Sequence, residues 1–207
     1  MLIAAANFTP RPVKGSHMDL YEAIHKRRSH RLYRPEMPPP EALDRVIDAG
    51  LWAPSGMNTQ CWDLTVMAGK VRDEFVGLIN HSIKKLVPIM AETGVSEKNQ
   101  KRVVAFFKDL GGAPVVIAVT VWKWGDDTGN SNLQSGAALM QNMLLAAHVE
   151  GLGTCWMTAG SLVEDEILAF LGKTDQRLLA ITPIGYSAKE PPVPPRKPRE
   201  VRWLGFD

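Results

Sequence analysis

Residues 133–150 constrain the fold more than any other stretch of this chain. They carry almost no charge, they place Ala137, Met140, Leu144 and Ala147 on one helical face, and further apolar residues occupy the other faces. A helix of that composition must be buried on most of its sides, so the remaining elements have to be arranged around it. The chain has 207 residues, 45% of them apolar, which suffices for one good core and not for several.

The rest of the chain reads as short strands alternating with helices. Residues 115–121 form a strong buried strand, residues 64–67 and 178–184 form two more, and residues 153–156 a fourth after Gly151 ends the apolar helix. Asp19 with Glu22 resembles a capping box, and Leu20 and Ile24 share one face of a short helix. A second helix follows Pro38-Pro39-Pro40, puts Leu43, Val46, Ile47 and Leu51 on its inner stripe and stops before Pro54. Another spans residues 71–79, and a polar, ambiguous stretch runs from 81 to 108. Ser161 with Glu164 caps a further helix that closes at Gly172. The proline-rich tail from Ser187 must run extended over another surface. Without repeats or a flexible linker, residues 18–207 form one α+β domain. Residues 1–17 lack periodicity, and Gly15-Ser16-His17-Met18 looks like the join an expression vector leaves, although a native arm packed on a partner is the other reading.

Several function classes fall away. The net charge is +2, so no global field favours nucleic acid or an acidic membrane surface. No apolar run reaches the roughly twenty residues needed to cross a bilayer. Two distant cysteines, Cys61 and Cys155, fit a reducing cytoplasm and show no metal-ligand spacing. The five histidines show none either, so no metal site is expected and His81 and His148 read as packed or surface residues. Gly151-Leu152-Gly153 follows a helix and precedes a strand, the reverse of a dinucleotide fingerprint. A nucleophile elbow and a phosphate-binding P-loop are both missing.

Two motifs remain. The run Arg27-Arg28-Ser29-His30-Arg31 combines guanidinium forks with a small hydroxyl, a set suited to phosphate. A solvated helix end, with cations at the negative pole of the dipole, explains the same charges. The segment Ala53-Pro54-Ser55-Gly56-Met57-Asn58-Thr59-Gln60-Cys61-Trp62 offers polar groups that can hydrogen-bond a flat, heteroatom-rich ring, and together the two suggest a flavin nucleotide. Arg196-Lys197-Pro198-Arg199, carried on the tail, could close over the same phosphate.

The order of these motifs, with the apolar helix leading into Gly151-Leu152-Gly153-Thr154-Cys155-Trp156 and the Ile184-Gly185-Tyr186 strand end, resembles the FMN-dependent nitroreductase family from Asp19 to the C-terminus. The resemblance implies a three-layer α+β sandwich, a mixed, mostly antiparallel sheet flanked by helices, and an intertwined homodimer with FMN at the subunit interface. It implies that Arg27, Arg28, Ser29 and Arg31 hold the phosphate and ribityl chain, with Arg31 also reaching the pyrimidine edge and Arg196 closing over the phosphate. Pro54, Ser55 and Asn58 would come from the other subunit, with Gln60 as a neighbour. Met157, Thr158 and Ala159 would turn backbone N–H groups toward flavin N5 and O4.

The chemistry implied is ping-pong transfer of hydride from NAD(P)H through flavin N5 to a small electron-poor aromatic, a nitroarene or quinone, with no catalytic side-chain acid or base. Alternatives are dehalogenase-like or flavin-fragmenting chemistry on the same fold, or a non-catalytic flavin-binding module. The dehalogenase lid uses a Glu, Tyr and Lys set, and residues 81–112 contain no tyrosine. Trp62 and Trp156 read as core aromatics, Trp122 and Trp124 as core or interface, Cys61 as a small buried hydrophobe, and Lys108 as a surface lysine.

Overall fold

The computed structural model describes residues 18–123 and 130–206, and the expectations for residues 1–17 and Trp124 fall outside them. The elements run α1 (Leu20–Lys26), α2 (Pro40–Leu51), β1 (Trp62–Ala68), α3 (Gly69–Ile79), α4 (His81–Glu92), α5 (Glu97–Phe107), β2 (Val115–Trp122), α6 (Ser131–Val149), β3 (Gly153–Thr154), α7 (Glu164–Leu171) and β4 (Gln176–Gly185). The strands form one sheet in the order β1-β2-β4-β3, antiparallel at every strand pair. A lone parallel bridge joins Ser29 to Thr154 at the β3 edge.

Strand alternation divides the core in two. Val115, Ile117, Val119 and Val121 of β2 pack with Val46 of α2 and with Leu139, Met140, Met143, Leu144 and Ala147 of α6. Val116 and Ala118, on the opposite face, pack with Phe75 and Ile79 of α3, Phe106 and Phe107 of α5, and Ile167 of α7. Helices therefore cover both faces, and the expected three-layer α+β arrangement is present. The pairing of β2 with β4 slips after Val119, where Leu179 has no opposite residue. That extra residue keeps Ala180 on the α6 side and Leu178 on the α3 side.

Four sequence readings need correction. The ambiguous stretch 81–108 contains two helices, α4 and α5, the first with Pro88 inside it. Ser161 caps nothing, because it lies inside a 3-10 turn, Ala159–Val163, while α7 starts after Val163 without a side-chain cap. Glu164 instead accepts hydrogen bonds from the Leu178 N–H and from Arg177 Nε of β4, at 2.7 and 3.0 Å. The buried stripe of α2 is Ala42, Val46 and Gly50, with Leu51 exposed. The strand expected over 153–156 is two residues long. Leu20 and Ile24 lie in α1 as expected, and both are exposed on this chain.

Candidate functional site

Local chemistry explains how the basic run is held. Asp19 Oδ1 accepts the Glu22 N–H and starts α1 as expected. The helix ends when the Arg27 N–H bonds the Ala23 carbonyl, and the chain then joins the sheet edge through the His30 N–H and the Thr154 carbonyl, 2.9 Å apart. Gly153 is required there, since a Cβ would stand 2.7 Å from His30 Cγ. Further along, Gly111, at φ +66°, lies so close to Arg31 that a Cβ would collide with its carbonyl. The run is thus clamped between β3 and the turn that precedes β2.

Within it the side chains differ in role. The Arg27 guanidinium is half-buried, and burial lowers its pKa, with Arg28 and Arg196 lowering it further and Cys155 opposing them. The charge of the tail's Arg196 is thus felt at Arg27. Arg28 donates from Nη1 to the His25 and Arg27 carbonyls at 2.6 and 2.7 Å, closing the end of α1. Ser29 lies against the Cys155 thiol, whose pKa burial raises. Arg31 is exposed, and with Ser29, Phe106, Asp109, Glu190 and Pro191 it lines a cavity of about 1050 Å³.

His30 fastens the tail to this edge. Its Nδ1 is 2.7 Å from Ser187 Oγ, and the Ser187 hydroxyl donates to the Lys189 carbonyl at 2.8 Å, so the ring nitrogen is the donor in the first bond. Burial lowers the His30 pKa, Glu190 raises it, and His148 and Arg27 lower it. Tyr33 is buried below and donates its hydroxyl to the His30 carbonyl at 2.7 Å.

The turn after Trp156 is only partly free to meet a ligand. Met157 exchanges two hydrogen bonds of 2.9 Å with Ile181, so its N–H belongs to the sheet. Thr158 and Ala159 lead into the 3-10 turn, where the first N–H groups have no partner within the helix.

Pro54, Ser55, Asn58 and Gln60 occupy a different corner. Ser55 Oγ accepts the Gln60 N–H at 2.9 Å, Gln60 Nε2 donates to Asn58 Oδ1 at 3.2 Å, and the Gly56 N–H reaches Ser135 Oγ near the start of α6. Met57, Asn58 and Gln60 all have positive φ, a strained arrangement for residues other than glycine. The turn leads into β1, at the sheet edge opposite β3. Ser135 and His148 are separated along α6 by roughly 20 Å at 1.5 Å per residue. The basic run and this turn therefore do not meet within one chain.

The remaining candidates sort simply. Cys61 is fully buried, its Sγ 3.8 Å from the Asn132 carbonyl, and Lys108 is exposed. Trp62 is buried and Trp156 packs against the α6 core, whereas Trp122 is 48% exposed and is no core residue. His81 is exposed and pairs with Glu166 at 2.8 Å. His148 is partly buried, as a packed residue would be, with its Nε2 enclosed and without a hydrogen-bond partner among the described residues. Among those residues no helix is long and apolar enough to cross a membrane, and no group of three His, Cys, Asp or Glu side chains is placed to hold a metal.

Known proteins share this architecture. A Methanothermobacter thermautotrophicus protein, named for NADH dehydrogenase or NAD(P)H nitroreductase activity, is 29% identical over 182 residues, covering 86% of this chain and 82% of its own. Iodotyrosine deiodinase 1 of Homo sapiens is 28% identical over 195 residues, 86% of this chain and 65% of the deiodinase. The crystal structure of oxidized iodotyrosine deiodinase bound to FMN and 3-iodo-L-tyrosine matches with a TM-score of 0.73 at 25% identity, over 91% of this chain and 100% of that one. The model of the Nitroreductase family matches residues 24–186, spanning both motifs and every named strand. This chain belongs to the nitroreductase family.

Proposed function

We propose that the chain is an FMN-dependent NAD(P)H oxidoreductase that works as a homodimer and reduces small electron-poor aromatics. The observation that carries this reading is a basic run clamped to the sheet edge by the His30–Thr154 and Tyr33–Gly111 hydrogen bonds, with the half-buried Arg27 feeling the charges of Arg28 and Arg196. Cations that act on one another repel, and an anion with several acceptor oxygens, such as a phosphate monoester, relieves the repulsion. The donor set fits the phosphate arm of FMN. The adjoining cavity of about 1050 Å³, with Arg31 at its wall and Phe106 among its apolar lining, fits a flat ring and a second aromatic.

Arg27 and Arg196 would hold the phosphate, Ser29 would add a hydroxyl donor, and Arg28 supports them by fixing the end of α1. Arg31 would bring its charge to the ring's polar edge. Of the three residues after Trp156, Thr158 and Ala159 would supply the N–H donors, while Met157 holds the turn to β4. Pro54, Ser55, Asn58 and Gln60 would come from the second copy, which accounts for their distance from the basic run of their own chain. Bound there, FMN would supply a hydride acceptor for NAD(P)H and a hydride donor for a nitroarene or quinone. The protein's part is stacking, fixed donors and a cleft of low dielectric.

The similarity to iodotyrosine deiodinase supports a second reading, reductive dehalogenation. The segment 81–112 lacks the tyrosine of the dehalogenase lid set, which places that reading second. Anaerobic titration of the FMN-loaded protein with NADPH and, in parallel, NADH tests both. Bleaching of the visible flavin band, reversed by a nitroarene or quinone, is expected. Bleaching reversed by 3-iodo-L-tyrosine with iodide release, and not by nitroarenes, would favour the second reading. A band that neither nucleotide bleaches would contradict the reductase.

A further inference from the structure

Helix α5 supplies one wall of the cavity beside the basic run, and one of its side chains takes no part in the site as described so far. Arg102, Ala105 and Phe106 stand at helical spacings of three and four and so share one face, and all three line the cavity of about 1050 Å³ together with Ser29 and Arg31. The helix is held from behind, where Phe106 and Phe107 are buried in the core and Val103 packs against it. Its C-terminal end is tied to the basic run. Asp109 Oδ1 accepts the Gly111 N–H at 2.9 Å, the Gly111 carbonyl accepts the Tyr33 N–H at 2.8 Å, and the Arg31 carbonyl lies against Gly111.

The Arg31 backbone therefore stands beyond the end of α5, while Arg102 lies five residues back from Phe107, roughly 7–8 Å along the axis. Helical side chains lean toward the N-terminus, which carries the Arg102 guanidinium further from the basic run. It is also uncommitted. Its one hydrogen bond among the described residues runs from Nη1 to Asn99 Oδ1 at 3.5 Å, the outer limit for such a bond, and although Asp109 and Glu190 line the same cavity it forms an ion pair with neither. Much of the remaining lining is apolar, with Leu32, Ala105 and Phe106 joined by Pro191 and Pro192 of the tail. An open guanidinium fork at one end of an apolar cavity suits an aromatic acid, whose ring takes the apolar walls while its planar carboxylate accepts two parallel N–H bonds. The two carboxylates nearby limit the negative charge a ligand can bring, which favours one carboxylate over a phosphate dianion.

We propose that Arg102 is a specificity residue for the electron acceptor, and that the acceptor this chain prefers is an electron-poor aromatic bearing a carboxylate. The inference rests on the FMN-dependent reductase reading and narrows its substrate class. Arg102 grips the carboxylate and touches no atom that is reduced.

Two nitroarenes, 4-nitrobenzoate and its methyl ester, differ in that charge and separate this role from a structural one. The FMN-loaded full-length protein is assayed with NADPH and each acceptor, using wild type, Arg102→Gln and Arg102→Lys. Benzoate, which carries the carboxylate and no nitro group, is titrated into the oxidised proteins and followed by its perturbation of the flavin band. For Arg102→Gln the KM for 4-nitrobenzoate and the Kd for benzoate should each rise about tenfold, the scale of one hydrogen bond to a charged group, with the KM values for the ester and for NADPH unchanged. Arg102→Lys, which keeps the charge without the fork, should fall between. Equal losses with both acceptors would make Arg102 a packing residue and overturn the inference. A raised KM for NADPH with both acceptors unaffected would overturn it too, by assigning Arg102 to the 2′-phosphate of the reductant. Unchanged values throughout would overturn it while leaving the FMN reading intact. A protein that holds FMN but is not reduced by NADPH still reports its benzoate affinity, so the carboxylate site is decided there independently of turnover. A chain that takes up no FMN would remove both.

Discussion

At the scale of single residues, the site depends on close seating as much as on charge. His30 fits only because position 153 has no side chain, its ring standing where a Cβ would be 2.7 Å from Cγ, and it cannot swing away while Ser187 holds Nδ1. Gly153→Val should therefore lower stability by about 1–3 kcal/mol, the usual cost of overpacking; a urea midpoint equal to that of the wild type would show that the edge can yield. His30 also couples stability to pH. Its folded pKa lies below the ordinary 6.5, chiefly through burial, with Glu190 opposing and His148 and Arg27 reinforcing the shift. The unfolded chain then binds the proton more readily, so the contribution is complete above about pH 6.5 and is lost as pH falls through the folded value. Urea midpoints should drop between about pH 7 and pH 5 in the wild type, and less in His30→Gln. An equal drop in both proteins would assign the effect elsewhere, His148 being the other histidine shifted in this direction.

At the scale of elements, the parts legible in the sequence are those whose local signals agree with their packing. Asp19 caps α1 as its spacing indicates, Gly172 closes α7 in the left-handed conformation, and the uncharged run becomes α6 with its inner face fully buried. Signals that tertiary contacts overrule mislead. Glu164 has the spacing of a capping box, yet its carboxylate serves Leu178 and Arg177 across a strand. Pro88 and a polar outer face hide α4. That helix is tied down at its start, where His81 pairs with Glu166 at 2.8 Å and Lys85 Nζ donates to the Leu162 carbonyl at 2.7 Å. Both contacts are exposed, and exposed pairs of this kind contribute about 0–1 kcal/mol. Glu166→Gln combined with Lys85→Ala should thus leave the thermal midpoint nearly unchanged while amides of residues 81–107 exchange faster in deuterium oxide. Unaltered exchange would mean that packing alone, through Ser82 and Met90, fixes the helix.

At the scale of the molecule, the two motifs that announce the site in the sequence lie at opposite edges of one sheet. No single-chain reading of spacing reveals that separation, since the motifs are about thirty residues apart in sequence and follow consecutive helices. The Met157 N–H was equally hidden, because its partner Ile181 comes from a later strand. The proposed pairing with a second copy agrees with the exposure of Leu20, Tyr21 and Ile24 of α1, Trp52 after α2, and Trp203 and Phe206 of the tail, Tyr21 and Trp52 by 72% and 78%. Large apolar groups left exposed in this number are what an interface with a second copy would cover.

The composite site can be tested by complementation. Arg27→Ala would remove the proposed phosphate grip, and Pro54→Trp, at a position exposed on its own chain, would block the side proposed to come from a second copy. Each variant alone should lose FMN, judged by the flavin band of the purified protein. Co-expressed, the two should regain part of it, because a mixed dimer joins an intact basic run from one chain to an intact Pro54 turn from the other. Mixed dimers that stay colourless, or either single variant purifying with full FMN, would contradict a site built from two chains.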